Sequence, residues 1–106
     1  MEIINLTQQK INIINDNGES ITIEPSGTVA RVSCRTVTTG EIMGIPVTET
    51  VYGTVEGLPE FQNGIVYIVS ALVAQHCKDR NDVFIPNESV RDDKGRIIGC
   101  KSLGRI

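Results

Sequence analysis

The chain has 106 residues, the usual size of one domain, so residues 1–106 are expected to share a single core. Ile, Val and Thr make up about a third of it, and because these β-branched side chains suit strands better than helices, a mainly helical fold is excluded. A net charge of −3, with no Trp and only two Tyr and two Phe, argues against non-specific nucleic-acid binding and against stacking platforms for single strands.

The first quarter of the chain predicts strands joined by tight turns. Apolar residues recur at 3–6, 11–14 and 21–23, and the last two stretches flank Asp16-Asn17-Gly18. The Asn-Gly step supplies the positive φ angles that a tight hairpin needs. Residues 24–27, Glu-Pro-Ser-Gly, predict the next turn, since Pro lacks a backbone donor and Gly frees the backbone.

The middle of the chain predicts one long hairpin. Residues 28–39 alternate between small or apolar and polar side chains, and residues 47–55 interleave Val with Thr. A connection with two glycines separates them at residues 40–46. We therefore predict two long, half-exposed strands that pair with each other and carry a polar face.

The second half predicts a buried strand, a short helix and a final hairpin. Residues 65–69 form a continuous apolar run, as burial on both faces requires, and belong at the sheet centre. Residues 70–77 predict about two helical turns capped by Ser70. A strand at 83–85 is expected to close at Pro86, and a hairpin to turn across residues 92–95. The predicted fold class is mainly β with one short helix (α+β), an antiparallel sheet forming a partly open barrel or sandwich.

The cysteines and the single histidine predict no catalytic or metal site. Cys34, Cys77 and Cys100 are an odd number at wide spacing, typical of free thiols in a cytoplasm, and no secretion signal opens the chain. His76 adjoins Cys77, but neighbours on a helix point about 100° apart, so they do not form a nucleophile and base pair. Metal-ligand spacing is lacking as well, and no cofactor is expected. The longest apolar run, residues 65–74, is too short for a membrane anchor.

Charge is unevenly distributed, and the last third is where an anionic partner would bind. Residues 1–75 carry a balance of −5 and residues 76–106 a balance of +2. Arginine guanidinium groups there can hold phosphate or carboxylate with two hydrogen bonds, and the open alternative is a rim of surface ion pairs. Asp92 and Asp93 resemble paired catalytic carboxylates, but a hairpin turn accounts for both.

Two further segments are candidate anion sites. The turn that contains Ser26 and Thr28 can present backbone amides to an anion, with Arg31 close by. Ser70 begins a helix directly after a buried strand, although simple N-capping explains it equally well. The candidate ligand-binding residues are therefore Ser26, Thr28, Arg31, Ser70, Arg80, Arg91, Asp92 and Arg96.

Four segments spread over most of the chain resemble a family of small uncharacterised proteins of bacteriophages and prophages. They are Asn5-Leu6-Thr7, Pro25-Ser26-Gly27-Thr28-Val29-Ala30-Arg31-Val32, Val69-Ser70-Ala71-Leu72-Val73-Ala74, and Arg91-Asp92 with Gly95-Arg96-Ile97-Ile98-Gly99-Cys100. In that family Asn-Leu-Thr is often followed by Pro-His, where this chain has Gln8 and Gln9. If that histidine serves a family activity, this chain lacks it.

The resemblance implies a phage setting, in which small accessory proteins often act against host defence. We expect a protein of the host cytoplasm that inhibits antiviral defence by binding, either sequestering an anionic nucleotide signal or blocking a defence protein. A nucleotide-cleaving enzyme that uses Asp92 or Asp93, and a virion or assembly component, are the open alternatives. Because small β domains have edge strands that need pairing or cover, a homo-oligomer is also expected.

Overall fold

The computed structural model describes residues 1–106 and contains eight strands and one helix. The elements in chain order are β1 Glu2–Asn5, β2 Ile11–Ile14, β3 Ser20–Ile23, β4 Arg31–Ile42, β5 Ile45–Glu56, β6 Ile65–Ile68, α1 Ala71–Gln75, β7 Val83–Arg91 and β8 Ile97–Gly104. This confirms a mainly β fold with one short helix. No helix in the structure has the length and apolar character needed to cross a membrane.

Six strands form one open, mixed sheet in the order β1-β6-β7-β8-β2-β3. The hairpins β2/β3 and β7/β8 are antiparallel, as predicted, whereas β1/β6, β6/β7 and β2/β8 are parallel. The parallel pairs join strands that are far apart in sequence, which no local turn signal reveals. The sheet does not close into a barrel.

The apolar run at residues 65–69 is an interior strand, β6, between β1 and β7. Tyr67, Ile68 and Val69 are fully buried, and Tyr67 and Val69 belong to one core cluster with the helix residues Val73 and Ala74. The predicted cap is also present, because the hydroxyl of Ser70 accepts a hydrogen bond from the Val73 N–H at 3.4 Å. The core of the protein therefore lies where β6 meets α1.

The end of β7 differs from the prediction, because the strand continues through Pro86 and ends at Arg91. On one side Pro86 pairs with Leu103 of the antiparallel strand β8. On the other side β6 pairs with β7 only as far as Phe84. The missing N–H of Pro86 therefore leaves no β6 carbonyl without a donor, and the strand tolerates the proline.

Strands β4 and β5 form a separate two-stranded sheet, the predicted long hairpin, which we call the arm. The connection predicted at residues 40–46 is wrong, because both strands continue into it and only Met43 and Gly44, both with positive φ, form the turn. Most side chains of the arm are exposed. The ring of Tyr52 packs on the ring of His76 at the end of α1, with 4.7 Å between ring centroids. Gly57 follows the arm, and a Cβ atom there would lie 2.6 Å from the carbonyl oxygen of Val29. A glycine is therefore needed where the chain leaves the arm and approaches residue 29.

Candidate functional site

The largest cavity of the protein has a volume of about 580 Å³ and lies beside the junction of β2 and β8. Both strands contribute to its wall, together with β7 and the loop before β2. Its lining consists of Gln9, Lys10, Ile11, Asn12, Pro86, Ser89, Ile97, Ile98, Gly99 and Cys100.

The cavity forms because β2 and β8 run side by side over a single pair, Ile13 and Cys100. The close approach depends on Gly99, since a Cβ atom there would lie 2.7 Å from the carbonyl oxygen of Asn12. The Asn12 side-chain amide also donates to the carbonyl oxygen of Ile98 at 3.3 Å. The Gly-Cys step of β8 thus sets how close the two strands come.

A second cavity of about 360 Å³ shares Gln9, Ile11 and Pro86 with the first. The two cavities therefore adjoin each other, and we call the pair the trough. It runs from Ile97, next to the β7–β8 turn, to Ser70 at the start of α1. The remaining wall of the second cavity consists of Leu6, Thr7, Gln8, Val29, Ala30 and Val69.

Asn5 holds the loop that forms one wall of the trough. Its side chain is 1% exposed, and its amide nitrogen donates to the carbonyl oxygens of Gln9 at 2.8 Å and Ile23 at 3.1 Å. Its amide oxygen accepts from the backbone N–H of Thr7 at 2.9 Å and from the Thr7 hydroxyl at 2.7 Å. All four hydrogen-bonding positions of the Asn5 side chain are therefore filled. The Asn-Leu-Thr segment supports the trough.

The lining of the trough combines apolar and polar side chains with one charge. Ile11 and Ile98 provide apolar surface, and the Gln9 amide and Ser89 hydroxyl provide hydrogen-bonding groups. Lys10 is the single charged residue in the lining of either cavity. Such a site suits a small anionic molecule with a ring. The ring can pack on the apolar side chains, polar atoms of the ring can form hydrogen bonds with the lining, and the negative charge can meet Lys10.

The segment at residues 26–31 touches one end of the trough through Val29 and Ala30, while Thr28 and Arg31 lie on either side of these two residues in the chain. Ser26 lies in the turn itself, where its N–H donates to the carbonyl oxygen of Asn5 at 3.0 Å. The N–H of Thr28 donates to the Ser26 hydroxyl at 3.3 Å. Two amides that an anion site would use therefore already have partners.

Ser70 is the single predicted residue that lines the trough, and its hydroxyl is engaged as the cap of α1. With only five residues α1 is too short to serve as an anion site by itself. The structure therefore shows Ser70 as the N-cap of α1, the alternative to an anion site at this position.

Arg91, Asp92 and Arg96 surround the β7–β8 turn, beside the other end of the trough. The Arg96 Nε lies 2.9 Å from a carboxylate oxygen of Asp92, and Arg91 donates to the carbonyl oxygen of Gly95 at 2.7 Å. Asp92 also accepts the backbone N–H groups of Arg96 and Lys94, and these bonds lower the pKa of its carboxyl group. The carboxylate of Asp92 thus closes a turn, as the structural alternative predicted.

Arg80 lies apart from the other candidates and outside the trough. Its guanidinium group makes two bonds to the carboxylate of Asp82, at 2.8 and 2.7 Å, and a third to the carbonyl oxygen of Pro59 at 2.8 Å. Asp82 is 2% exposed, and the hydrogen bond from Arg80 lowers the pKa of its carboxyl group. We interpret this pair as structural, because the Asp82 carboxylate and one edge of the Arg80 guanidinium group already pair with each other.

His76 and Cys77 line a separate cavity of about 410 Å³ between the arm and α1. His76 packs on Tyr52, whereas Cys77 is buried in the core cluster. Burial raises the pKa of the Cys77 thiol, against the opposing effect of the nearby Arg80. A protonated, buried thiol is a poor nucleophile, so the adjacent pair offers no thiol chemistry.

Thiol reactivity should therefore differ sharply among the three free cysteines. We expect Cys34, which is exposed, to react with an aromatic disulfide reagent in the native protein, and Cys77 and Cys100 to react only after unfolding because they are buried. Titration should count one thiol before denaturant and three after it. The Cys34→Ser variant should show none before denaturant, and a remaining fast thiol would contradict this assignment.

Several trough residues did not stand out in the sequence, namely Gln9, Lys10, Asn12 and Ser89. The one available signal was the polar run Gln8-Gln9-Lys10 between the apolar residues Leu6 and Ile11. A polar run of this kind is also typical of an ordinary loop, so the pattern alone does not distinguish a loop that lines a cavity from one that does not.

Comparison of the chain with protein families, curated proteins and solved structures returned no match.

Proposed function

We propose that the chain is a non-catalytic binding protein that holds a small anionic nucleotide in the trough. In the phage setting that its sequence motifs imply, it would inhibit host antiviral defence by sequestering a nucleotide signal. The observation that carries the proposal is the pair of adjoining cavities between Ser70 and Ile97, whose only charged lining residue is Lys10.

The size and chemistry of the trough support this proposal. Its two cavities, of about 580 and 360 Å³, are of the size that small-molecule sites usually have. A purine or pyrimidine ring can cover the apolar surface of Ile11 and Ile98, and the Gln9 amide can pair with polar atoms at the ring edge. Lys10 is placed to meet a phosphate, and no carboxylate lines the groove to repel one.

A binding role is favoured over nucleotide cleavage by what surrounds the trough. Its lining contains no histidine and no carboxylate that could act as a general base. Asp92, the carboxylate of the rival enzyme hypothesis, accepts three hydrogen bonds within its own turn. Its pKa is lowered, which makes it a weaker base.

The test is to incubate the protein with a panel of mononucleotides, dinucleotides and cyclic nucleotides, remove free ligand, denature the protein and identify what it releases. We expect at least one nucleotide to be retained, to raise the melting temperature and to be released intact. Release of a cleaved product would overturn the binding role in favour of an enzyme. If nothing is retained and no melting temperature shifts, the nucleotide proposal is wrong and a protein partner takes its place.

Substitutions in the trough should abolish the binding found in that panel. Ser89 is exposed on β7, so Ser89→Trp fills the larger cavity without disturbing the core, and we expect affinity to fall about tenfold or more. Ser20→Trp places the same side chain on the exposed strand β3, away from the trough, and serves as the matched control. Unchanged affinity in a folded Ser89→Trp protein, measured by calorimetry, would move the site elsewhere.

The contribution of the Lys10 charge to binding is tested separately. Lys10→Glu should weaken binding by about fivefold to tenfold, more than the Arg91→Ala/Arg96→Ala double variant, since only Lys10 lines the groove. Lys94→Glu, in the exposed β7–β8 turn, makes the same charge change as a control. A larger loss of affinity in the Arg91→Ala/Arg96→Ala variant than in Lys10→Glu would place the anion at the β7–β8 turn and show that Lys10 does not contact it.

A further inference from the structure

The two faces of the arm differ in chemistry. Directly opposed residues of an antiparallel pair point to the same side, and alternate residues along each strand share that side. The pairs Thr36 with Thr50 and Thr38 with Thr48 therefore lie on one side, which we call the Thr face. The arm thus has a hydroxyl-bearing surface on this side, and these hydroxyl groups can form hydrogen bonds with water.

The opposite side of the arm, which we call the Val/Ile face, is apolar. It carries Val37, Ile42, Ile45, Val47 and Val51, which the register places on the same side. Ile42 and Ile45 are 63% and 66% exposed, and Val47 and Val51 are 37% and 41% exposed. No other element of the chain covers this row, although β-branched side chains in strands normally pack against something.

The extended shape of the chain also indicates that part of its surface lacks a packing partner. Its radius of gyration is 17.1 Å, whereas a compact chain of this length has about 13 Å. Its accessible surface is 7458 Å², roughly 1,600 Å² more than a folded monomer of 11.6 kDa exposes on average. That excess is close to what each subunit of a permanent dimer buries, about 1,000 to 2,500 Å².

The charges on the Val/Ile face are self-complementary. Arg35 pairs across the arm with Val51, and Glu49 pairs across it with Val37, so both charged residues lie on this face. Neither forms an ion pair within the chain, where the three ion pairs involve other residues. Two copies that meet face to face therefore offer each other one positive and one negative group.

We infer that the Val/Ile face of the arm is the interface between two copies of this chain. An isolated two-stranded hairpin is marginally stable in water, and a second copy supplies the apolar cover that the arm lacks. A face that carries both an apolar row and one charge of each sign fits a copy of itself, since an isologous contact repeats every interaction twice. The inference is independent of the trough, to which the arm strands contribute no residue.

The first test measures the mass of the protein in solution by light scattering. We expect twice 11.6 kDa for the natural chain and the mass of one chain for Val47→Lys. Thr48→Lys puts the same charge on the Thr face at the neighbouring position and should leave the mass unchanged. A natural chain that is monomeric at all concentrations overturns the inference, as does a folded Val47→Lys protein that keeps the oligomeric mass.

A second test succeeds even if Val47→Lys does not fold. Arg35→Glu and Glu49→Arg each make like charges meet in a pair of identical copies, so each variant alone should associate more weakly than the natural chain. Mixing the two variants restores both opposite-charge contacts and should yield a mixed dimer, detected by native mass spectrometry with one chain isotopically labelled. A mixture that associates no better than either variant alone would show that another surface is used.

Discussion

Replacing Asn5 with alanine will lower the free energy of unfolding by about 3 kcal/mol, because it removes four part-buried hydrogen bonds and leaves a cavity in place of a buried side chain. The Ile23 carbonyl oxygen loses this donor and the Thr7 N–H loses its acceptor, whereas the Thr7 hydroxyl still donates to the Gln9 carbonyl oxygen at 2.9 Å. Denaturant unfolding followed by circular dichroism measures the loss. The wall of the trough should loosen as well, which faster amide hydrogen exchange at residues 6–10 would report.

Asn12→Ala is the matched control for this prediction. Asn12 also makes two side-chain hydrogen bonds, to the Ile98 carbonyl and from the Thr22 hydroxyl, but both are exposed to solvent. Water can replace them, so the loss should stay below about 1 kcal/mol. Equal losses for the two variants would show that burial of Asn5 does not decide its contribution.

Asn5→Asp separates hydrogen bonding from shape, since the two side chains have nearly the same size. A carboxylate at this position still accepts from Thr7 but meets the Gln9 and Ile23 carbonyl oxygens without a donor. We expect this variant to be at least as destabilised as Asn5→Ala at pH 7. The defect should be smaller near pH 4, where protonation of the new carboxyl group removes its charge.

Replacing Asp82 with asparagine will cost about 3 kcal/mol of stability at pH 7, because it leaves the Arg80 guanidinium group without its charged partner. The pair is bidentate, and the carboxylate is 2% exposed. Asp79→Asn removes a neighbouring carboxylate that is exposed and forms no ion pair, and its effect should stay within about 0.5 kcal/mol. Urea unfolding of both variants and of the natural chain measures these differences in the free energy of unfolding.

The contribution of Asp82 should also depend on pH with a definite sign. Arg80 holds the pKa of the folded carboxyl group below its unfolded value of about 3.9, so the stabilisation is complete well above that value. It is lost as the pH falls through the unfolded and then the folded pKa. The difference between the natural chain and Asp82→Asn should therefore be largest at pH 7 and shrink below pH 4. A difference that is constant from pH 7 to pH 3 would contradict the ion-pair explanation.

The features predictable from the sequence are those that depend on neighbours in the chain. Ser70 caps α1 and Asp92 closes the β7–β8 turn, each as expected. The β2/β3 hairpin is also present, but residues 15–19 connect its strands, and within the Asn17-Gly18 step only Gly18 has a positive φ, of 81°. Turn geometry and capping involve residues two to four positions apart, so a short window contains all the information. The buried run that became β6 was predictable for a similar reason, since burial on both faces leaves a continuous apolar stretch.

The candidate site was predictable only in part. Ser70 lines the trough, and the residues around the β7–β8 turn adjoin its end, but Arg80 is engaged by Asp82 elsewhere. Gln9 and Lys10 became site residues because the loop before β2 folds back over Asn5. No local pattern indicates that a loop will line a groove.

Local sequence patterns were sufficient to predict a mainly β fold with one capped helix, turns at defined places and a long two-stranded hairpin. These follow from side-chain stiffness, glycine and asparagine conformations, and the period of two along a strand. Tertiary structure alone decided the parallel pairing of β1 with β6 and of β2 with β8, and hence the trough, because those contacts join residues more than sixty positions apart. It also decided that the arm stands away from the sheet, with its Val/Ile face left uncovered within the chain.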